Sequence, residues 1–167
     1  MVNYELKNFT FIVYFNGNIQ IYNQPVMKEI LIVSQKNACR SAMAEGWFKY
    51  YAKSAANITS AGIEPTPLDL RAAQSMMDAV IDITKHRPQS IEALSNKEFD
   101  IVLVMDNNAA TMASNSLRYK SLYVFHFNSP KVNERDEPIT KKSYDSLRDE
   151  IENWAFDFIH QNIKRLM

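Results

Sequence analysis

Residues 30–41, ILIVSQKNACRS, restrict this chain more than any other stretch. Ile30–Val33 is short and wholly apolar, the pattern of a strand buried on both faces of a parallel sheet. Met43, Trp47, Tyr50 and Tyr51 then share one side of a helix predicted over roughly residues 40–55. Ser34–Cys39 therefore sits at a strand-to-helix junction. In an open parallel sheet this is where ligands bind, because first-turn N–H groups lack intrahelical partners and the helix dipole adds positive potential.

The alternation recurs downstream. Ile58–Ile63 reads as a second strand that runs into the punctuated loop Glu64-Pro65-Thr66-Pro67. Asp69 is an N-cap for a helix over Leu70–Ile81. Ile101–Met105 and Leu122–Phe127 read as a third and a fourth strand. A last helix runs from about Tyr144 to Arg165, with Tyr144, Leu147, Ile151, Trp154 and Phe158 on one face. Strands alternating with helices predict an α/β fold, a three-layer domain with a four-stranded parallel sheet over residues 27–167. Residues 1–26 have a different character. Phe9–Phe15 and Asn18–Tyr22 are β-rich runs about Asn16-Gly17, and Gln24-Pro25 breaks the pattern, so an N-terminal β-hairpin extension is expected. It extends the sheet or joins two chains into a homodimer by edge pairing.

A formal net charge of zero excludes a basic field for nucleic acid or for an acidic membrane surface. One cysteine, Cys39, excludes an internal disulfide. No apolar run is long enough to cross a bilayer, and MVNYELKNFT lacks a signal-peptide pattern, so the expected location is the cytoplasm. His86, His126 and His160 have no metal-ligand spacing and read as surface or core-edge residues, so no metal and no cofactor are expected. Lys131–Lys142 reads as a mixed-charge solvated loop.

The junction has the side chains of an oxyanion cradle. Backbone N–H groups across Ser34, Gln35, Lys36, Asn37, Ala38, Cys39, Arg40 and Ser41 can converge on an anion. Asn37 tolerates left-handed geometry and can brace the loop with its amide. Arg40 offers a planar fork for two oxygens of a tetrahedral anion, and Ser41 can reach across to Ser34. The plainer reading is a turn whose Ser and Asn only cap the helix. Cys39 is open to two readings, a small buried residue or a thiol activated beside Arg40.

VSQKNACRSAMAEGW resembles the active-site loop of the low-molecular-weight protein tyrosine phosphatases and the related thioredoxin-coupled arsenate reductases. That loop reads V-C-x-x-N-x-x-R-S, often with a second Cys before the Arg and M-A-E-G after it. Ser60-Ala61-Gly62-Ile63-Glu64-Pro65 is similar to the family's S-A-G-x-x-P segment, and Ile81-Asp82-Ile83 followed by His86-Arg87 to its G-I-D-I-S-x-H-R stretch. Phe99-Asp100-Ile101-Val102 fits its third strand. The resemblance spans residues 28–165 and favours the arsenate-reductase branch in style.

The resemblance implies a cysteine thiolate attacking phosphorus and an aspartic acid in a D-P loop protonating the leaving oxygen. Here the nucleophile position holds Ser34 and the acid position holds Ser129, in Asn128-Ser129-Pro130. The reductase route implies a relay of thiols, and its second and third positions, flanking a short helix, fall at Met105 and Met112. The expected function is a pseudoenzyme that keeps an oxyanion-binding loop for phosphate, sulfate or an arsenate-like anion, or for a phosphorylated protein. An active phosphatase whose nucleophile was changed to Ser34, with Glu134 or Asp136 as its acid, is the second reading. The third is an interaction module that works through the hairpin.

Overall fold

The computed structural model describes residues 9–15 and 18–24 by their backbone, and residues 27–164 in full. β1 (Phe9–Phe15) and β2 (Asn18–Gln24) pair antiparallel, with Phe9 opposite Gln24 and Phe15 opposite Asn18. The predicted turn at Asn16-Gly17 lies outside the described residues. The hairpin forms a two-stranded sheet of its own and does not extend the central sheet.

That central sheet contains β3 (Lys28–Ser34), β4 (Ala56–Gly62), β5 (Glu98–Val104) and β6 (Arg118–Val124), all parallel, in the order β4-β3-β5-β6. Side chains alternate across it. Ile30 and Ile32 face one apolar cluster, Leu31 and Val33 the other, and all four are fully buried. Burying one such side chain is worth about 1.5–3 kcal/mol. The first cluster lies under α1 (Arg40–Ala52), α2 (Leu70–Asp78) and α4 (Glu137–Asn162). The second lies under α3 (Asn107–Ser116) and a single 3-10 turn at Ile91–Leu94. This is the expected three-layer α/β domain, with the phosphatase-like loop at the carboxyl end of an inner strand.

Several boundaries move, each for a local reason. α1 ends at Ala52 because Lys53 turns left-handed (φ 52) and bonds back to Lys49 O. Tyr50, expected on the core side of that helix, is 55% exposed, whereas Trp47 is 3% exposed. α2 stops at Asp78, ahead of the left-handed Val80. β6 is not Leu122–Phe127 but starts at Arg118, since an edge strand accepts charged residues that an apolar pattern discounts. β2 runs two residues past Tyr22, to Gln24. α4 begins well before Tyr144, at Glu137, so half of the expected 131–142 loop is helical. Asp136 accepts from Ile139 N there, and Pro138 fits the first turn.

Asp69 caps α2 as expected, accepting from Arg71 N (2.9 Å) and Ala72 N (3.4 Å), and it also accepts from the Tyr144 hydroxyl of α4 (2.6 Å). Burial, reinforced by this carboxylate, pushes the Tyr144 hydroxyl well above its ordinary range, so it stays a donor. Asp69→Ala is therefore expected to cost about 1–2 kcal/mol in urea unfolding, with Asp69→Asn retaining most of the cap.

Candidate anion site

β3 delivers the chain at Ser34 to the upper edge of the sheet, and α1 starts at Arg40. The intervening loop has its carbonyls turned outward. Ser34 O accepts from Ile63 N, Gln35 O from Glu64 N, Lys36 O from Thr66 N and Ala38 O from Asp69 N, at 2.9–3.3 Å. Asn37 O accepts from His86 Nε2 at 3.0 Å. A trans peptide with its carbonyl on one side presents its N–H to the other, and no peptide here is cis. The N–H groups of Gln35, Lys36, Ala38 and Cys39 accordingly face the concave side, the N–H of Arg40 opens the first turn of α1, and none of the five meets an acceptor among the described residues. The N-cap of α1, Cys39, supplies no side-chain bond, and the first turn holds no acidic residue. The positive end of the helix is thus left without a side-chain cap or an acidic first-turn residue of its own.

The shape of the loop is imposed by Asn37, fully buried and left-handed at φ 51. Its Nδ2 donates to Ser41 Oγ (2.9 Å) and Ser60 Oγ (2.7 Å), and its Oδ1 accepts from Gln89 N (3.0 Å). Ser34 Oγ and Ser41 Oγ share a hydrogen bond of 2.7 Å, and Asn37 N donates to Ser34 Oγ at 3.2 Å. Behind them Ser60 Oγ donates to Glu45 Oε2 (2.5 Å), and His86 Nδ1 lies 3.4 Å from the same oxygen. Gly62 lets the 62–69 segment approach this closely. A Cβ there would sit 3.0 Å from Asn37 N, Asn37 Cβ and Lys36 C.

Arg40 is held from the far side. Its Nη1 donates to Phe127 O (2.9 Å) and Met105 O (3.4 Å), and Nη2 lies 3.1 Å from Asp106 Oδ2. Asp106 is anchored in turn, because its Oδ1 caps α3 through Ala109 N. The guanidinium is thus oriented by three groups, while Nε has no acceptor among the described residues.

A sequence profile described as "Low molecular weight phosphotyrosine protein phosphatase" matches residues 29–166. The chain belongs to that family. An arsenate reductase of Bacillus licheniformis is 31% identical over 124 residues, covering 74% of this chain and 89% of that protein. Among solved structures the fold is similar to an arsenate reductase in the phosphate-binding state, with TM-score 0.64, 21% identity, and coverage of 81% of this chain and 98% of that one. It is also similar to a cysteine-to-serine mutant of the YwlE arginine phosphatase with a phosphorylated active-site serine, with TM-score 0.58, 22% identity, and coverage of 80% and 97%.

In this family member hydrogen bonds join Ser34, Asn37 and Ser41 within the loop, and among the described residues none joins Ser129 to them. Ser129 is exposed, two residues beyond the Phe127 carbonyl that holds Arg40. Met105 is fully buried at the end of β5, and Met112 is 42% exposed on α3. Asp136 is occupied as the cap of α4. His86 has a task that the sequence reading did not assign. It lies at the core edge and there braces the Asn37 carbonyl, its side chain only 7% exposed. Glu45, Ser60, Gln89 and Asp106 also escaped residue-by-residue reading, since each acts through another residue. The only available signal was the spacing of the S-A-G and H-R segments. Among the described residues no group of carboxylate, histidine and cysteine side chains is arranged to hold a metal ion.

The chemistry of Cys39 follows from its surroundings. Burial pushes the thiol up to about 12, the Asp69 charge adds to this, and Arg40 opposes it only in part. Iodoacetamide is expected to label it slowly from pH 6 to 9, with no plateau marking an activated thiolate. Burial would also raise the Glu45 carboxyl, but hydrogen bonds from His86, Lys49 and Ser60 outweigh it and hold it at about 2, against an ordinary 4.5. A depressed folded-state pKa stabilises above the unfolded value and is lost as pH falls through the folded one. Glu45→Gln should therefore cost stability near pH 7, by up to roughly 3 kcal/mol, and the gap to the unaltered protein should close between pH 4.5 and 2.

Proposed function

We propose that this family member is a pseudoenzyme that binds a tetrahedral oxyanion of the phosphate class at the Ser34–Ser41 loop without turning it over. One observation carries the reading. Four loop amides and the uncapped end of α1 converge on the concave side, while every carbonyl from Ser34 to Ala38 is bonded outward. Such a nest suits a compact anion, and Arg40 Nε adds a cationic donor beside it. The phosphate-binding state of the similar arsenate reductase supports this choice of ligand.

The case against turnover rests on the chemistry of two positions. Ser34 stands at the family's nucleophile position, and among the described residues its Oγ bonds only Ser41 Oγ and Asn37 N, neither of which is a base. Ser129 stands at the acid position with a hydroxyl in place of a carboxyl. Loss of acid assistance alone costs about a hundred- to ten-thousand-fold in rate. A reductase relay would need thiols at Met105 and Met112, and Cys39 is the one cysteine of the chain. The physiological ligand in this reading is a phosphate group carried by a partner protein, met in the cytoplasm. Residues 1–26 then stand outside the anion-binding domain of 27–167, and neither strand of the hairpin carries a charge to block edge pairing into a homodimer.

Calorimetry with phosphate should give one site per chain, Arg40→Ala should weaken it at least about tenfold, near 1.4 kcal/mol, and aryl phosphate should not be hydrolysed. An empty loop at millimolar phosphate would sink the proposal. The second reading, a phosphatase with its cysteine changed to serine, draws on the YwlE mutant, which carries a phosphorylated active-site serine. Turnover restored by Ser34→Cys alone would favour it. Turnover that appears only with Ser34→Cys and Ser129→Asp together would favour the pseudoenzyme.

A further inference from the structure

The far end of the described molecule carries an aromatic strip whose outer members, Tyr50 and Phe156, are exposed. Tyr50 and Tyr51 at the end of α1 and Phe156 and His160 on α4 form a continuous row. Ring centroids are 5.1 Å apart for Tyr50–Tyr51, 5.4 Å for Tyr51–Phe156 and 4.1 Å for Phe156–His160. Tyr50 is 55% and Phe156 45% exposed. Isolated exposed apolar side chains need no explanation, but a row of touching rings bridging two helices is a contact surface.

The hairpin is tethered beside it. β2 ends at Gln24 and β3 starts at Lys28, so residues 25–27 are the whole connection, with a reach of about 10 Å. The start of β3 lies against the end of α4, where Lys28 Nζ donates to Asn162 O at 3.1 Å. Lys164 Nζ donates to Tyr51 O at 2.5 Å, tying the same end of α4 to the strip. Along α4, His160 is about 3 Å and Phe156 about 9 Å from Asn162. A seven-residue strand is about 23 Å long, enough to span the row. The anion loop, by contrast, begins at the opposite end of β3.

The hairpin also needs a cover. A lone two-stranded sheet is at best marginally stable in water. FTFIVYF is apolar in both of its alternating sets, and neither it nor NIQIYNQ contains a charged residue. We infer that the hairpin of residues 9–24 docks on the Tyr50–Tyr51–Phe156–His160 strip of its own chain. The short tether keeps its local concentration there far above that of any second copy. The hairpin then stabilises the far end of the α1–α4 pair and leaves the anion loop unobstructed.

Hydrogen–deuterium exchange on the full-length chain tests this. Amides of residues 9–24 should be protected in the unaltered protein, to the same degree across a hundredfold dilution. Tyr50→Glu and Phe156→Glu, both at exposed positions, should each speed their exchange at least tenfold while phosphate affinity stays the same. Deleting residues 1–26 should speed exchange in the last turns of α1 and α4 and lower the melting temperature. Equal hairpin exchange in the unaltered and substituted proteins would overturn the inference, as would a deletion without effect on α1, α4 or melting. Protection that vanishes on dilution would overturn it too, assigning the hairpin to a second copy.

Discussion

The left-handed turn at Asn37 is the constraint on which the anion site depends. A non-glycine residue in that region costs of order 1 kcal/mol or more and persists only where its surroundings enforce it. Here the enforcement is explicit, because one amide side chain ties the loop to Ser41 of α1, Ser60 of β4 and the backbone of Gln89. Reversing the chain at this residue is what sends the carbonyls to the 63–69 segment and the N–H groups to the concave side. His86 and Glu45 complete the support, one holding the Asn37 carbonyl and the other holding Ser60 and facing His86.

That arrangement explains why binding and turnover separate in this reading. The bonds that shape the nest run through Asn37, Ser41, Ser60, Gln89 and His86, and none of them needs a thiol at position 34 or a carboxyl at position 129. Ser34 fits the network as a hydroxyl, accepting from Asn37 N and sharing a bond with Ser41 Oγ. Arg40 is likewise held by Asp106 and the carbonyls of Met105 and Phe127, whether or not a nucleophile stands below it. The loop and its supports thus form a unit whose bonds do not depend on the family's reacting groups.

The sequence made the layers legible because β3 and β5 are inner strands buried on both faces, and such strands are unbroken apolar runs. The edge strand β6 was misplaced for the complementary reason. Arg118 and Lys120 belong to the ladder, opposite Glu98 and Asp100, while Phe125 and Phe127 lie past its end, where Phe125 packs on Trp154 and the Phe127 carbonyl accepts from Arg40. Tyr50 misled in a similar way, since helical spacing marks a side of the helix but not how far the covering layer extends. In the site, Ser34, Asn37, Arg40 and Ser41 were readable because they are close in sequence and each has a distinct chemical task. Glu45, Gln89 and Asp106 were not, because their partners come from other elements and only the fold joins them.

The two ends of β3 divide the molecule's work. At the carboxyl end, polar groups are left open while every supporting bond is made behind them, which prepares the loop for a small charged ligand. At the amino end the open groups are aromatic, and the two hairpin strands tethered there carry no charge. A charged anion gains nothing from the strip, and an uncharged hairpin gains nothing from the nest. The rigid inner strand between them keeps the surfaces a full strand length apart. A ligand at one end and a docked hairpin at the other therefore do not compete for space. α1 reaches both surfaces, since its first turn borders the nest and its last turn carries Tyr50 and Tyr51.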